Sequence, residues 1–401
     1  MNQKNVLFLI ITMLLISMFA FSYEEGLAYV EAIGKGASQA LSYLKSRQNP
    51  DGGFSEPGES SDLILTCWVL VAGSTAGEKP SIWASGGQTA ETFISRHVSE
   101  ATALIDIEMI VLALSSSGED ARDVEGKNMV SILKAHIGKD GRIGSNIKEH
   151  CWGMIALRAC GESINAKSIE WLYSRQREDG GWADQEEQLV SDTALAVEAL
   201  VATGEADSSV VKPSMELLRG KMRNDGGFPG AQDRSETAIT AQVVRAIYAV
   251  GDDPASPAWT KEGNNPYKYL STVQSQDGHY FYAPQIESQP ALTTAMTVPS
   301  VFGKHLPLGV KSIHAPLEAS DVTAIDDFGM AGASMRPSEN LNVSEESENE
   351  FEGLRVEASG RRISWFSDFW LFIFTLSGYF IVVLLTLLVL RLSQRKKRPL
   401  T

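Results

Sequence analysis

Apolar residues recur with helical spacing along the middle of the chain, in runs that alternate between mixed and almost wholly apolar composition. The more apolar runs each end at a glycine followed by an acidic residue, at Gly77, Gly118, Gly161, Gly204 and Gly251. These stops lie 41, 43, 43 and 47 residues apart. A glycine just past the last helical residue is a common left-handed stop signal. The pattern therefore predicts a helical repeat of about 44 residues.

A second signal falls between the helical runs. Asp-Gly turns followed by an aromatic residue occur within residues 48–54, 176–182, 222–228 and 274–280, and Lys139-Asp140-Gly141 is a degraded copy. Asp-Gly suits a tight turn because the carboxylate accepts local N–H groups and glycine tolerates positive φ. Each repeat is then a helix, a loop, a second helix and a glycine stop. The six predicted units are 36–78, 85–119, 126–162, 165–205, 210–252 and 264–308.

The second helix of each unit is the more apolar one, so we expect it to be the more buried of the pair. Six such units form either an open solenoid or a closed ring. Neither end carries a polar capping helix, which favours closure. The predicted fold is all-α, a six-repeat α/α toroid spanning residues 34–308.

The two ends of the chain are predicted to lie outside this domain. Residues 1–22 have the pattern of a secretory signal peptide, with an uncleaved anchor as the alternative. Residues 309–364 form an acidic stalk too poor in apolar residues to order itself. Residues 365–391 are long and apolar enough to be a transmembrane helix, and residues 392–401 are a basic tail. Because positive charge stays on the cytoplasmic side, we expect a single-pass cell-membrane protein with an extracytoplasmic body and a cytoplasmic C-terminus.

Charge and cysteine content narrow the possible functions. The formal charge is -15 and the pI is near 5.0, so a nucleic-acid partner is not expected. The three cysteines, Cys67, Cys151 and Cys160, lack the C-x-x-C spacing of a zinc or dithiol site. They lie in apolar helical runs, and we expect them to be small core residues, with one disulfide as the alternative.

The Asp-Gly loops resemble the repeat shared by triterpene cyclases and protein prenyltransferase β-subunits, known as the prenyltransferase and squalene oxidase repeat. The resemblance covers about residues 34–308 and implies an α/α toroid, in which two concentric rings of helices surround a central cavity. The first helix of each unit is then outer and the second inner. It also implies a structural role for loop residues, namely Gln48, Asp51, Gln176, Asp179 and Trp182.

The catalytic signatures of these relatives are absent from the sequence. There is no Asp-x-Asp-Asp cluster for substrate protonation and no Asp-x-Cys pair for zinc. The complement thioester domain belongs to the same superfamily, and its Cys-Gly-Glu-Gln is also missing, since Cys160-Gly161-Glu162 is followed by Ser163. We therefore predict no catalytic residue, no metal and no cofactor. The first hypothesis is a non-catalytic protein that binds a small molecule, glycan or protein through its cavity or rim. The alternative is a divergent enzyme acting on an isoprenoid or lipidic substrate.

One series of polar residues is the best candidate for a binding site. It opens the apolar helices at spacings of 44, 44, 42 and 44 residues and consists of Asp62, Asp106, His150, Asp192 and Glu236. Two interpretations are open. These residues form a ligand-binding ring at one mouth of the cavity, or they cap helix N-termini, where acidic side chains are favoured. Aromatic residues such as Trp68 and Trp152 are expected to be core residues or to line the cavity.

Overall fold

The computed structural model describes residues 34–204, 208–230 and 232–308. The predicted signal peptide, stalk, transmembrane helix and basic tail lie outside these residues. Among the described residues, none of the helices is long and apolar enough to span a bilayer.

The described residues form twelve α-helices, which pair in the order predicted from the repeat. The first helices of the pairs are α1 (34–45), α3 (Ala90–His97), α5 (Met129–Ala135), α7 (Ala166–Ser174), α9 (Ser208–Lys221) and α11 (Pro266–Thr272). The second helices are α2 (Leu63–Thr75), α4 (Leu104–Ser117), α6 (Ile147–Ala159), α8 (Leu189–Thr203), α10 (Thr237–Ala249) and α12 (Pro290–Val301). A short antiparallel ladder, β1 (Ala84–Ser85) with β2 (Gln88–Thr89), precedes α3. Three 3-10 turns cover Pro80–Ile82, Glu186–Gln188 and Pro257–Trp259.

The even-numbered helices form a closed inner ring. Each packs against the next from α2 to α12, and α12 packs against α2. Thirteen of the fifteen residues of α8 are buried, against three of the nine in α7. The prediction that the second helix of each pair is the more buried is confirmed, and the ring is closed as expected.

The Asp-Gly loops join each repeat to the next outer helix. In the first loop, Asp51 Oδ1 accepts the N–H of Gly53 at 3.0 Å, which holds the turn. Gly52 has φ 91°, and a Cβ there would collide with the carbonyl of Thr89 at the start of α3. Glycine is therefore required for both its backbone conformation and its close approach.

A glutamine in three of these loops spans the junction between repeats. Gln48 Nε2 donates to the carbonyl of Gly52 in its own loop and to that of Trp83 ahead of α3, at 3.1 and 3.0 Å. Gln274 Nε2 donates to the carbonyl of Gly36 in α1 at 2.7 Å, across 238 residues of sequence. The last loop thus connects the sixth outer helix, α11, to the first, α1. The outer layer of helices is therefore closed, as the inner ring is.

The aromatic residue after each loop is a buried anchor. Phe54, Trp182, Phe228 and Tyr280 are at most 2% exposed. Their backbone N–H groups donate to a threonine Oγ1 on the inner helix of the same pair, at distances of 2.9, 3.0, 3.0 and 2.8 Å. These loops therefore hold the two helices of a pair together.

All three cysteines carry free thiols. Cys67 and Cys151 are completely buried on α2 and α6, and Cys160 is half-buried after α6. The expectation of small core residues holds for the first two, and no disulfide forms among the three.

Candidate functional site

A cavity of about 360 Å³ lies on the axis of the ring, at the N-terminal ends of the inner helices. All six inner helices or the residues just before them contribute to its wall. The lining residues are Ile64, Trp68, Ile105, Met109, Lys148, Trp152, Gln188, Ser191, Asp192, Leu195, Ala238, Ile239, Gln242, Leu292 and Met296.

Most of this wall is apolar. Trp68 and Trp152 are its largest members, and each is 4% exposed. Their rings meet edge to face, with centroids 5.6 Å apart and an interplanar angle of 83°, which is a favourable aromatic geometry. The two tryptophans were expected either to be core residues or to line the cavity. In the structure they do both.

Asp192 is the acidic residue of the wall. It lies in the first turn of α8 and is 3% exposed, and its Oδ2 has no hydrogen-bond partner among the described residues. Burial raises the pKa of Asp192 to about 6, and the charge of Asp184 adds to this increase. A backbone hydrogen bond from Asp184 and the charge of Lys148 act in the opposite direction. Asp192 is therefore a desolvated carboxyl group with unused hydrogen-bonding capacity.

Other polar groups of the wall were not predicted from the sequence. Lys148, in the first turn of α6, brings a positive charge to the cavity. Gln242 on α10 donates from Nε2 to the carbonyl of Ser191 at 3.0 Å, which joins α10 to α8 beside the cavity. No repeat or motif marks these positions. Only their place in the first two turns of an inner helix relates them to the predicted ring.

Four of the five predicted site residues lie outside the cavity lining. Asp62 is the N-cap of α2, and its Oδ1 accepts the N–H of Leu65 at 2.7 Å. Asp106 is the third residue of α4, and its Oδ2 accepts the N–H of Ala103 at 3.2 Å. Both make the capping contacts that were the alternative interpretation.

His150 and Glu236 have other partners. His150 Nδ1 accepts the N–H of Ile143 at 2.9 Å, and its Nε2 lies 3.0 Å from the carbonyl of Ser168. Glu236 precedes α10 without capping it, and its side chain hydrogen-bonds to Tyr282. The structure thus brings Asp192 alone of the five into the cavity wall.

Two further buried acids lie on inner helices. Glu198 on α8 pairs with Arg245 on α10 at 3.1 Å, and both side chains are buried. Glu198 also accepts the N–H of Leu306 at 2.7 Å, so the segment after α12 is tied to the ring. Glu108 on α4 is 1% exposed, and burial raises its pKa to about 10. Glu108 is therefore neutral at pH 7. The sequence signal for both glutamates was an acidic residue inside an otherwise apolar helical run.

Solved structures of known proteins share this architecture. A variant of the type II terpene cyclase MstE from Scytonema, in complex with geranylgeranyl dihydroxybenzoate, is 15% identical with a TM-score of 0.51. The match covers 69% of this chain and 98% of the cyclase. A protein from Actinoplanes is 16% identical with a TM-score of 0.50, over 68% of this chain and 99% of that protein. At such identities the likeness establishes the fold.

The sequence itself places the protein in a family. No curated protein matches the chain. The family described as prenyltransferase alpha-alpha toroid domain matches residues 36–112 and 147–300, which is more than half of the chain. These ranges contain both tryptophans of the cavity wall and Asp192. The closed double ring, its Asp-Gly loops and this match agree, and the chain belongs to the prenyltransferase α/α-toroid domain family.

Proposed function

We propose that the protein binds a small, largely apolar molecule in the central cavity. The observation that carries this proposal is the wall itself, which all six inner helices build from apolar side chains around one carboxyl group with unused hydrogen-bonding capacity. Ligand pockets combine an apolar lining with a few polar groups and span roughly 300–1,000 Å³. At about 360 Å³, this cavity suits a compact ligand.

Binding without chemical conversion is the simpler interpretation of the cavity. The sequence has neither the Asp-x-Asp-Asp cluster nor the Asp-x-Cys pair of the related enzymes, and one acidic side chain lines the wall. With a pKa of about 6, Asp192 is mostly ionised at pH 7 and serves as a hydrogen-bond acceptor for a ligand.

We also propose that this binding takes place outside the cytoplasmic membrane, with the protein anchored by residues 365–391. The support is the combination of an N-terminal leader pattern, one long apolar segment and a basic tail. Deletion of residues 365–401 is expected to release the protein from washed membranes. External protease should degrade the toroid in intact cells while a tag on the C-terminus stays protected. Degradation of the tag and protection of the toroid would refute this orientation.

The binding experiment uses the full-length protein in lipid nanodiscs, with benzyl alcohol as a small neutral probe. Saturation-transfer NMR is expected to show contact between the probe and the protein above the level of empty nanodiscs. The variant Ala238→Trp fills the mouth of the cavity and should abolish this contact. Ile132→Trp, at an exposed position of α5, is the matched control and should preserve it. An equal signal in Ala238→Trp would mean that the probe does not enter the cavity.

A divergent enzyme acting on an isoprenoid or lipidic substrate is the second candidate. The observation that favours it is again Asp192, because a carboxyl group with a pKa of about 6 is partly protonated at mildly acidic pH. Incubation with geranylgeranyl diphosphate or squalene at pH 5.5, followed by mass spectrometry of the products, tests this candidate. A product formed by the wild-type protein and lost in Asp192→Asn would establish catalysis. If the protein binds its ligand without converting it, no product forms.

A further inference from the structure

One carboxyl oxygen of Asp192 is buried without a hydrogen-bond donor among the described residues. The residue is 3% exposed, and its Oδ2 accepts no hydrogen bond from any described residue. A buried carboxylate that lacks a partner loses its hydration and gains little in return. A ligand group that donates to Oδ2 therefore supplies a charge-assisted hydrogen bond that the described residues do not make.

The charged neighbours of Asp192 leave room for such a donor. From α6, Lys148 contributes a positive charge that acts on this carboxyl group. From the loop ahead of α8, Asp184 repels it, and Asp184 Oδ2 is already used as an acceptor of the Ile147 N–H at 2.8 Å. From α10, the facing group is the neutral amide of Gln242. When Asp192 is ionised, this neighbourhood therefore holds two negative charges, on Asp192 and Asp184, and one positive charge, on Lys148.

The loops that lead into the inner helices extend this negative charge around the mouth. They are residues 55–62, 98–103, 142–146, 183–188, 229–230 with 232–236, and 281–289. Together they carry ten acidic residues and two arginines. Two of the acids are neutralised from outside these loops, since Glu186 pairs with Arg177 and Asp233 pairs with Arg223. An excess of carboxylates remains, and it attracts cations and repels anions at the entrance.

We infer that the ligand of the central cavity carries an ammonium group, which donates to Asp192 while its apolar body lies against Trp68 and Trp152. This inference rests on the proposed binding function and specifies its ligand class. The body of the ligand is small, because the cavity holds about 360 Å³. A carboxylate or phosphate ligand is disfavoured by Asp192 and by the acidic loops, although Lys148 lies within the same wall.

The test compares three probes of nearly equal shape, namely benzylamine, benzyl alcohol and benzoate, on the full-length protein in nanodiscs at pH 7.5. Benzylamine is expected to bind at least about 10-fold more tightly than benzyl alcohol, because a hydrogen bond to a charged group adds that much. Benzoate should bind more weakly than benzyl alcohol. Lower pH should weaken benzylamine binding as Asp192 becomes protonated near pH 6.

Variants separate the effect of the Asp192 carboxylate from a general effect of surface charge. Asp192→Asn should lower benzylamine affinity by about 10- to 100-fold and leave benzyl alcohol within a factor of about 3. Glu170→Gln removes one exposed carboxylate from the outer helix α7, away from the mouth loops, and should preserve the affinity of both probes. Asp192→Glu retains a carboxylate and should therefore bind benzylamine more tightly than Asp192→Asn does. It also provides a second test of the carboxylate if Asp192→Asn folds poorly.

The outcomes distinguish this inference from the function on which it rests. If benzylamine and benzyl alcohol bind equally well to the wild-type protein, the ammonium inference is wrong and cavity binding stands. Stronger binding of benzoate would also overturn it and would point to Lys148 instead. If benzyl alcohol binding is absent or survives Ala238→Trp, the proposed function itself fails.

Discussion

His150 occupies a position that is a threonine in four other repeats, and its replacement tests how the third loop is held. Thr66, Thr193, Thr240 and Thr294 each accept the N–H of the residue after the loop through Oγ1. In the third repeat, the residue after the loop is Ile143, and His150 Nδ1 accepts its N–H. The proton of the neutral ring is therefore on Nε2, beside the Ser168 carbonyl. Protonation of Nδ1 would place two donors face to face in a buried site.

The cost of this protonation follows from the pKa of His150. Burial lowers the pKa from 6.5 to about 4 in the folded protein. Between these two values the unfolded chain binds more protons than the folded one, so stability falls as the pH decreases from about 6.5 to 4. At 1.36 kcal/mol per unit, the full loss is about 3 kcal/mol, and above pH 7.5 the titration contributes nothing.

The assay is urea-induced unfolding, followed by tryptophan fluorescence at pH 7.5 and pH 4. His150→Thr keeps an acceptor for the loop but removes the titrating group. We expect the decrease in unfolding free energy between the two pH values to be smaller by about 2–3 kcal/mol in the variant. His136→Thr, at an exposed position of the same repeat, should change this decrease little.

One result would refute the reasoning. If His150→Thr loses the same free energy between pH 7.5 and pH 4 as the wild-type protein, protonation of His150 does not oppose folding. Other buried acids titrate in this range, but they contribute equally to both proteins and cancel in the comparison.

Three further predictions concern the ring and its cavity. Glu198→Gln leaves Arg245 buried without its anion and should lower the free energy of unfolding by about 3–5 kcal/mol; the double variant with both side chains replaced by methionine should recover most of this loss in the same urea assay. Gly52→Ala should cost more than about 2 kcal/mol because strain and collision add, whereas Gly77→Ala, also at positive φ but in open space, should cost less; equal melting temperatures for the two would contradict this. The raised pKa of Asp192 favours the folded state below its unfolded value of 3.8, and this contribution is lost as the pH rises through about 6. Asp192→Asn should therefore be more stable than wild type by about 2–3 kcal/mol at pH 7.5, and calorimetry that shows no gain would refute the pKa argument.

The repeat could be recognised from the sequence because its signals are local. A glycine stop needs only the positive φ that follows a helix, and Gly77, Gly118, Gly161, Gly204 and Gly251 all adopt it. An Asp-Gly turn likewise depends on neighbours within a few residues. The six helix pairs, the approximate limits of each repeat and the greater burial of the second helix follow from such signals.

Closure of the ring is a long-range result. The absence of capping helices favoured it, but the contacts that make it could not be named in advance. Glu56 in the first loop accepts the N–H groups of Ala291 and Leu292 at the start of α12, both at 2.9 Å. In the sequence, Glu56 is 235 residues from Ala291 and 236 residues from Leu292. No local pattern links them, and only the accumulated rotation of six repeats brings them together.

The composition of the cavity was also decided by tertiary structure. The five candidate residues have almost regular spacing, yet Asp62 precedes its helix, Asp106 is the third residue of α4 and Asp192 is the fourth residue of α8. A helix turns by about 100° per residue, so these small offsets send the side chains to different sides. Sequence alone therefore determined the number, order and relative burial of the helices. The rotation of each helix about its own axis, which sets Asp192 and Lys148 toward the cavity and His150 away from it, is determined by packing between helices that are distant in sequence.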